Sequence, residues 1–369
     1  IMSGSSTAPT LVSSAEELDR LLGRWHDESV VAVDTEADSL HSYREKLCLV
    51  QLGAAGDFRL VDPLAEFAIQ PLLDFLAART IILHGASYDL RMLMSAGEFR
   101  PRRIFDTMLA ARLTGRRQFS LAALVQEFEG IELAKASRKA DWGRRPLSAA
   151  MAEYALNDVR YLHSIMHTLE TELETLGRRD WLGQSCDREI EAAVAPPARE
   201  GAEREPWRVK GAFRLAPRAA AILRELWHWR DAEAARRDSP PFKVMRNEDL
   251  LDFAERIAGS GPDAPHYLRG RCRKSFLDAA ARALAIGDDQ LPQAPRTKRR
   301  AKFAEFDDNY NALSRLRDQH AGELGLEPSF IAPRATLEQL AGQPEQRARA
   351  LERLLPWQRT LLAAAIPAS

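Results

Sequence analysis

The chain has 369 residues, 45% of them hydrophobic and 28% charged, and its formal net charge is −1. That composition excludes a disordered or fibrous chain, and no run of ~18 apolar residues is present to make a membrane span. The length suffices for two or three domains, and the charge is unevenly dealt: 24 basic against 32 acidic side chains over residues 1–207, 21 against 12 over 208–302, and 7 against 9 over 303–369.

The first residues, Ile1 to Ser6, have neither a basic nor an apolar targeting segment and read as a flexible leader outside the fold. Leu18, Leu21, Leu22 and Trp25 recur at helical spacing, with Ser13 or Ser14 available as a cap. Val31-Ala32-Val33-Asp34-Thr35-Glu36 is then a β-branched run that delivers two carboxylates. Strand alternation puts Asp34 and Glu36 on one side of a sheet, where a divalent cation is the usual answer to their repulsion. Strands over 47–53 and 58–62 follow, joined by a short turn that favours an antiparallel meander. A helix around 70–78 leads into Thr80-Ile81-Ile82-Leu83-His84-Gly85, which suits a strand buried on both faces. Helices are predicted over 88–95, 107–113 and 120–128, with a long one from Ser148 to about Leu176. The expected product is a mixed sheet flanked by helices.

Pro196, Pro197 and Gly201 mark a linker, after which the strand signal disappears. Two helical units follow, separated by the Pro- and Arg-rich stretch Pro292 to Lys302. Each has a leading helix, a proline-containing loop (Pro240-Pro241 and Pro328) and a Leu-rich helix, the pattern of a divergent repeat. The predicted boundaries are 8–195, 208–290 and 303–369, with linkers 196–207 and 291–302. Cys48, Cys186 and Cys272 are scattered without a C-x-x-C pair, which points to a reducing cytoplasm and away from structural zinc.

Further acids stand where they could join Asp34 and Glu36. Asp89 falls in the first turn of the helix after the buried strand, where a carboxylate also favours its own helix dipole. Asp106 has the same shape but reads better as a helix cap. Tyr154 and Asp158 lie four apart, hence on one helix face, in apolar surroundings that make an unpaired carboxylate costly. Hard oxygen donors in this number suit Mg²⁺ or Mn²⁺ rather than zinc, and two such ions about 3.5–4 Å apart clamp a phosphodiester during displacement.

The order D-x-E (Asp34, Glu36), D (Asp89, in His-Gly-Ala-Ser-Tyr-Asp) and Y-x-x-x-D (Tyr154, Asp158) resembles the DEDD exonucleases, and within them the DEDDy subgroup typified by ribonuclease D. Leu49 to Gly53, Asp106 to Ala111 and Asp141 to Leu147 are similar as well. The helical units resemble HRDC domains, on Leu226 to Asp231 with Pro240 to Val244, and on Glu323 to Ser329. Gly85-Ala86 departs from relatives that carry Asn before the second-motif Asp. The resemblance implies a ribonuclease H-like mixed-sheet exonuclease domain followed by two all-α domains. It implies a 3′→5′ exoribonuclease that releases nucleoside 5′-monophosphates from RNA such as tRNA precursors. Asp34, Glu36, Asp89 and Asp158 would bind two Mg²⁺ or Mn²⁺, and Tyr154 would position the attacking water.

For RNA contacts the sequence offers His84, the basic residues around 112–145 that include Arg112, Arg116, Arg138, Lys139 and Arg145, and Arg269, Arg271, Arg273 and Lys274 near Tyr267 and Phe276. The tryptophans 227 and 229 read as core. The residues themselves leave open a DNA substrate and a catalytically silent RNA-binding protein.

Overall fold

The structure, a computed structural model, describes residues 11–133, 140–195, 205–293 and 305–367. The leader, Arg138 and Lys139, and most of the two expected linkers lie outside the described residues. None of the described helices is long and apolar enough to cross a membrane.

The chain opens with β1 (Leu11–Val12) and α1 (Ala15–Arg24), where Ser14 accepts from the Glu17 N–H at 3.3 Å. The meander is β2 (Val30–Ala37), β3 (Leu47–Ala54) and β4 (Asp57–Val61), followed by α2 (Gln70–Ala77), β5 (Thr80–Leu83), α3 (Ser87–Ala96) and β6 (Arg103–Asp106). These strands form one six-stranded sheet in the order β1-β4-β3-β2-β5-β6. β3 is antiparallel to both neighbours; β5 runs parallel to β2 and β6, and β1 parallel to β4. β5 pairs with β2 only as far as Ala32, so β2 runs on past it and offers an open edge from Val33 to Glu36.

α4 (Thr107–Leu113) and α5 (Leu121–Glu129) lie where the pattern predicts. The single long helix does not form. α6 (Ala149–Arg160) and α7 (Leu162–Thr175) break at Tyr161, with φ −105° and ψ −3°. The reason is packing. Ala152, Ala155 and Leu156 of α6 join Leu49, Leu60 and Trp142 on one sheet face, while Ile165, Leu169 and Leu173 of α7 join the main core. One straight rod cannot serve both clusters. α8 (Arg179–Val194), which periodicity did not reveal, completes this region.

By contact the chain divides into two units, described here separately. The first contains the described residues of 1–37 and 47–195 and also those of 301–369. α13 (Phe306–Leu324), α14 (Pro328–Ile331), α15 (Arg334–Leu340), α16 (Pro344–Arg353) and α17 (Pro356–Leu362) thus share the interior of the sheet domain. Trp357 stacks on Trp181 at 4.8 Å, and the Arg178 guanidinium donates to the carbonyls of Leu113 at 2.7 Å and Leu324 at 2.8 Å.

The second unit holds residues 38–46 and the described part of 196–300. Its helices are α9 (Pro217–Arg237), α10 (Pro241–Val244), α11 (Asn247–Ser260) and α12 (Gly270–Leu284). Its core includes Trp229 and Phe276, and also Trp207, which the composition had assigned to a linker.

The two helical stretches share an internal frame at a constant offset of 87 residues. Pro241–Val244 and Pro328–Ile331 are both one-turn helices, and each is followed by an extended residue, Met245 or Ala332. Arg230 donates to the Met245 carbonyl at 3.1 Å, and Arg317 donates to that of Ala332 at 3.2 Å. Leu226, Leu250 and Ala254 match Leu313, Leu337 and Ala341, all fully buried. Asp238 and Gly325 end the leading helices in the left-handed region.

Candidate metal centre

Carboxylate oxygens of Asp34, Glu36 and Asp158 all lie within 4.8 Å of one another. Alternation along β2 puts the first two on the face that α6 covers, and α6 brings the third. Asp89 is not in that group, but it stands close enough to raise the charge cost of ionising Asp34 and Glu36. Thr35 holds it, donating from its hydroxyl to Oδ1 at 2.6 Å.

The electrostatics match a cation site without its cation. Burial, and then the neighbouring Asp89, Asp158 and Glu36, pushes the Asp34 carboxyl well above its ordinary range. Burial, with Asp158 and Asp89, raises Glu36 to about 8. Burial raises Asp89 to about 7 against the opposing pull of the Thr35 hydrogen bond. Three crowded carboxylates with no basic side chain among their electrostatic neighbours form an oxygen donor set that suits a hard divalent ion.

Asp89 owes its location to a turn that Asp106 fastens. Gly85 has φ +82°, a conformation that favours glycine, and the N–H groups of Gly85 and Ala86 donate to Asp106 at 3.1 and 2.8 Å. The same carboxylate accepts from Met108 and Leu109 as the N-cap of α4. Asp106 is therefore a cap, as its context suggested, and also a clasp between two helix starts.

Tyr154 lies on α6 one turn before Asp158, and its ring is 6.1 Å from that of Trp142. Trp142 is 2% exposed and is fastened through Arg145. Arg145 requires a correction. Its donors go to Asp62 (2.6 Å twice), Cys48 (2.6 Å), Trp142 (2.8 Å) and Arg144 (2.9 Å), which occupies all five N–H groups and leaves none for a phosphate. Its work is to pin the 142–146 segment to β3 and to Asp62, beside the end of β4. Arg116 is likewise committed, to Glu127 and Glu172.

His84 also differs from expectation. The Thr107 hydroxyl donates to the Leu83 carbonyl at 3.0 Å, so the 2.9 Å contact with His84 is assigned as Nδ1–H donating to Thr107. Burial lowers this histidine to about 4, so it is neutral and offers no positive charge to a phosphate.

In the second unit Arg271 and Lys274 are exposed and Tyr267 is 50% exposed. Arg273 is half-buried and donates to the Ala264 carbonyl at 3.2 Å, and Arg269 donates to the carbonyl of His266. Phe276 has no exposed surface and cannot stack on a base. Thr35, Trp142 and the clasp by Asp106 escaped the sequence because their partners lie far along the chain. The D-T-E context was the only local signal for Thr35.

Comparison with known proteins adds to this geometry. The 3′-5′ exonuclease family model matches residues 9–174, and the HRDC domain model matches residues 219–258. Ribonuclease D of Xanthomonas oryzae pv. oryzae is 32% identical over 360 residues, 91% of this chain and 92% of that protein. Ribonuclease D of Granulibacter bethesdensis is 30% identical over 364 residues, 93% and 89% of the two chains. The crystal structure of Escherichia coli RNase D, described as an exoribonuclease involved in structured RNA processing, superposes with a TM-score of 0.71 at 26% identity over 98% of each chain. A protein from Bifidobacterium adolescentis shares the fold with a TM-score of 0.83 at 23% identity, over 98% of this chain and 97% of that one.

Proposed function

Because this chain belongs to the ribonuclease D family, we infer that it is a hydrolase that removes nucleotides from RNA 3′ ends and releases nucleoside 5′-monophosphates. The carrying observation is the convergence of Asp34, Glu36 and Asp158 within 4.8 Å, with Asp89 alongside. The exonuclease family to which the chain belongs uses divalent metals, and this donor set fits two Mg²⁺ or Mn²⁺. Bound there, the ions would stabilise charge developing on the phosphodiester and acidify water.

The chain's own residues do the rest. Asp34, Glu36 and Asp158 present their oxygens from two elements that the sheet and α6 hold rigid, so little reorganisation accompanies reaction. Thr35 fixes Asp89 at the open edge of β2. The Tyr154 phenol, braced by Trp142, orients the attacking water by hydrogen bonding. No separate strong base is required of the protein.

The second unit is proposed to hold the body of the substrate. Its surplus of basic residues, with Arg271 and Lys274 exposed beside the half-exposed Tyr267, suits phosphate contact with some stacking. Arg269 and Arg273, tied to nearby carbonyls, would contribute charge at shorter reach. The proposed substrates are structured RNAs such as tRNA precursors, in a reducing cytoplasm that suits three free cysteines.

Digestion of 3′-labelled and 5′-labelled RNA, with and without EDTA, tests the reading. Stepwise loss from the 3′ end that EDTA abolishes is the expected result. A matched DNA oligonucleotide degraded as fast as RNA would shift the reading to a DNA exonuclease. RNA binding with no metal-dependent product would make the chain a silent binder.

A further inference from the structure

Gln51 is fully buried on β3, and neither its amide nitrogen nor its amide oxygen has a hydrogen-bond partner. Buried polar atoms are costly to leave unpaired, and a leucine would ordinarily occupy such a place. What surrounds the residue explains its chemistry.

Gln51 is paired opposite Asp34 in the β2–β3 ladder, and residues directly opposite one another project to the same face of a sheet. Its other ladder partner is Leu60 on β4, and its neighbour two residues back is Leu49, opposite Glu36. Leu49 and Leu60 both pack with Trp142, Ala155 and Leu156 beneath α6. An amide with a free N–H therefore lies in the floor of the carboxylate group, under the helix that carries Tyr154 and Asp158. Asp34, for its part, is reached by the backbone N–H of Thr35 and by no side-chain donor.

We infer that Gln51 is a positioning residue of the metal centre. Its amide N–H donates to the outer oxygen of Asp34 when that carboxylate is ionised and faces a cation. The terminal torsion of a glutamine is broad and roughly two-fold, so the amide can turn without leaving its place in the core. Carboxylate ligands are held in this way by outer hydrogen bonds that fix which oxygen faces the ion. The amide oxygen has a donor of its own in the same layer, the buried and unpaired indole N–H of Trp142. The inference rests on the metal-dependent reading above.

The test uses the full chain, without RNA, titrated with Mn²⁺ in a calorimeter. Gln51→Leu and Gln51→Met should each weaken Mn²⁺ binding by roughly 10–100-fold. In EDTA the same variants should melt at or above the wild-type temperature, because two unpaired buried polar atoms are gone. A fall in EDTA stability that parallels the loss of affinity would assign Gln51 an architectural role and overturn the inference. So would Mn²⁺ affinity within about twofold of wild type in both variants, when Asp34→Asn does abolish binding. Mn²⁺ binding that ignores Asp34→Asn would overturn the metal reading itself, and this inference with it.

Discussion

Thr35 reaches Asp89 from the side of β2 opposite to Asp34 and Glu36, through a 2.6 Å hydrogen bond. This is possible because β5 stops pairing at Ala32, which leaves room at the strand edge for the first turn of α3. Three successive residues thus serve one site from both faces of a single strand.

Thr35→Val should slow RNA hydrolysis by about 10–100-fold, since a hydrogen bond to a charged group is worth about 1.5–3 kcal/mol. Thr35→Ser should recover most of the rate. Steady-state rates at saturating Mg²⁺ decide it, and equal rates for Val and wild type would remove Thr35 from the site.

Asp34→Asn and Asp158→Asn should each reduce hydrolysis by at least roughly 10³-fold, the scale of several kcal/mol of lost charge stabilisation. RNA affinity measured in EDTA should change little. Unfolding of both variants, seen by circular dichroism, would mark these acids as structural instead.

The raised carboxyls predict a pH dependence. Asp34, Glu36 (about 8) and Asp89 (about 7) all have folded-state pKa values above the unfolded ones. The folded protein without cations holds these protons more tightly, so their stabilising effect is complete below about pH 4 and is lost as pH rises through about 7 to 8. In EDTA the melting temperature should fall between about pH 5 and about pH 8.5, and Mg²⁺ should raise it more at the upper end. A metal effect that is equal at both ends would refute the assignment.

Tyr154→Phe should lower the rate by roughly 10²-fold at most, the scale of a misplaced reactant, with Mn²⁺ binding intact. Full activity would remove the phenol from the reaction.

Arg145→Gln should destabilise the fold by about 2–3 kcal/mol because Asp62 loses a charged partner. The salt dependence of RNA binding should stay the same. Arg271→Glu with Lys274→Glu should do the reverse, weakening RNA binding most at low salt and sparing the melting temperature.

Much of this was legible from residue order. Strand alternation set Asp34 and Glu36 together, helical spacing set Tyr154 above Asp158, and α4 lies where its pattern put it. Short elements escaped because two residues of β1 and four of β6 carry too little periodicity, and their pairing is supplied by distant strands. The break at Tyr161 escaped for a related reason: both halves are good helix, and only the two separate cores force the bend. Arg145 looked like a phosphate ligand since arginines beside tryptophan suit one, yet its acceptors come from residues 48 and 62. The membership of residues 305–367 in the sheet domain's interior was equally invisible, because an amphipathic helix does not name what it covers.

The 87-residue correspondence has a consequence for how this chain can change over time. Two copies of one framework have been put to unlike uses: Leu250 and Ala254 close a module on itself, whereas Leu337 and Ala341 were absorbed into a neighbour's foundations. Loss of the earlier copy would remove an attachment. Truncation of the later one would strip Trp181 and Arg178 of their shelter, so any descendant that discards it must first rebuild that wall of the nuclease.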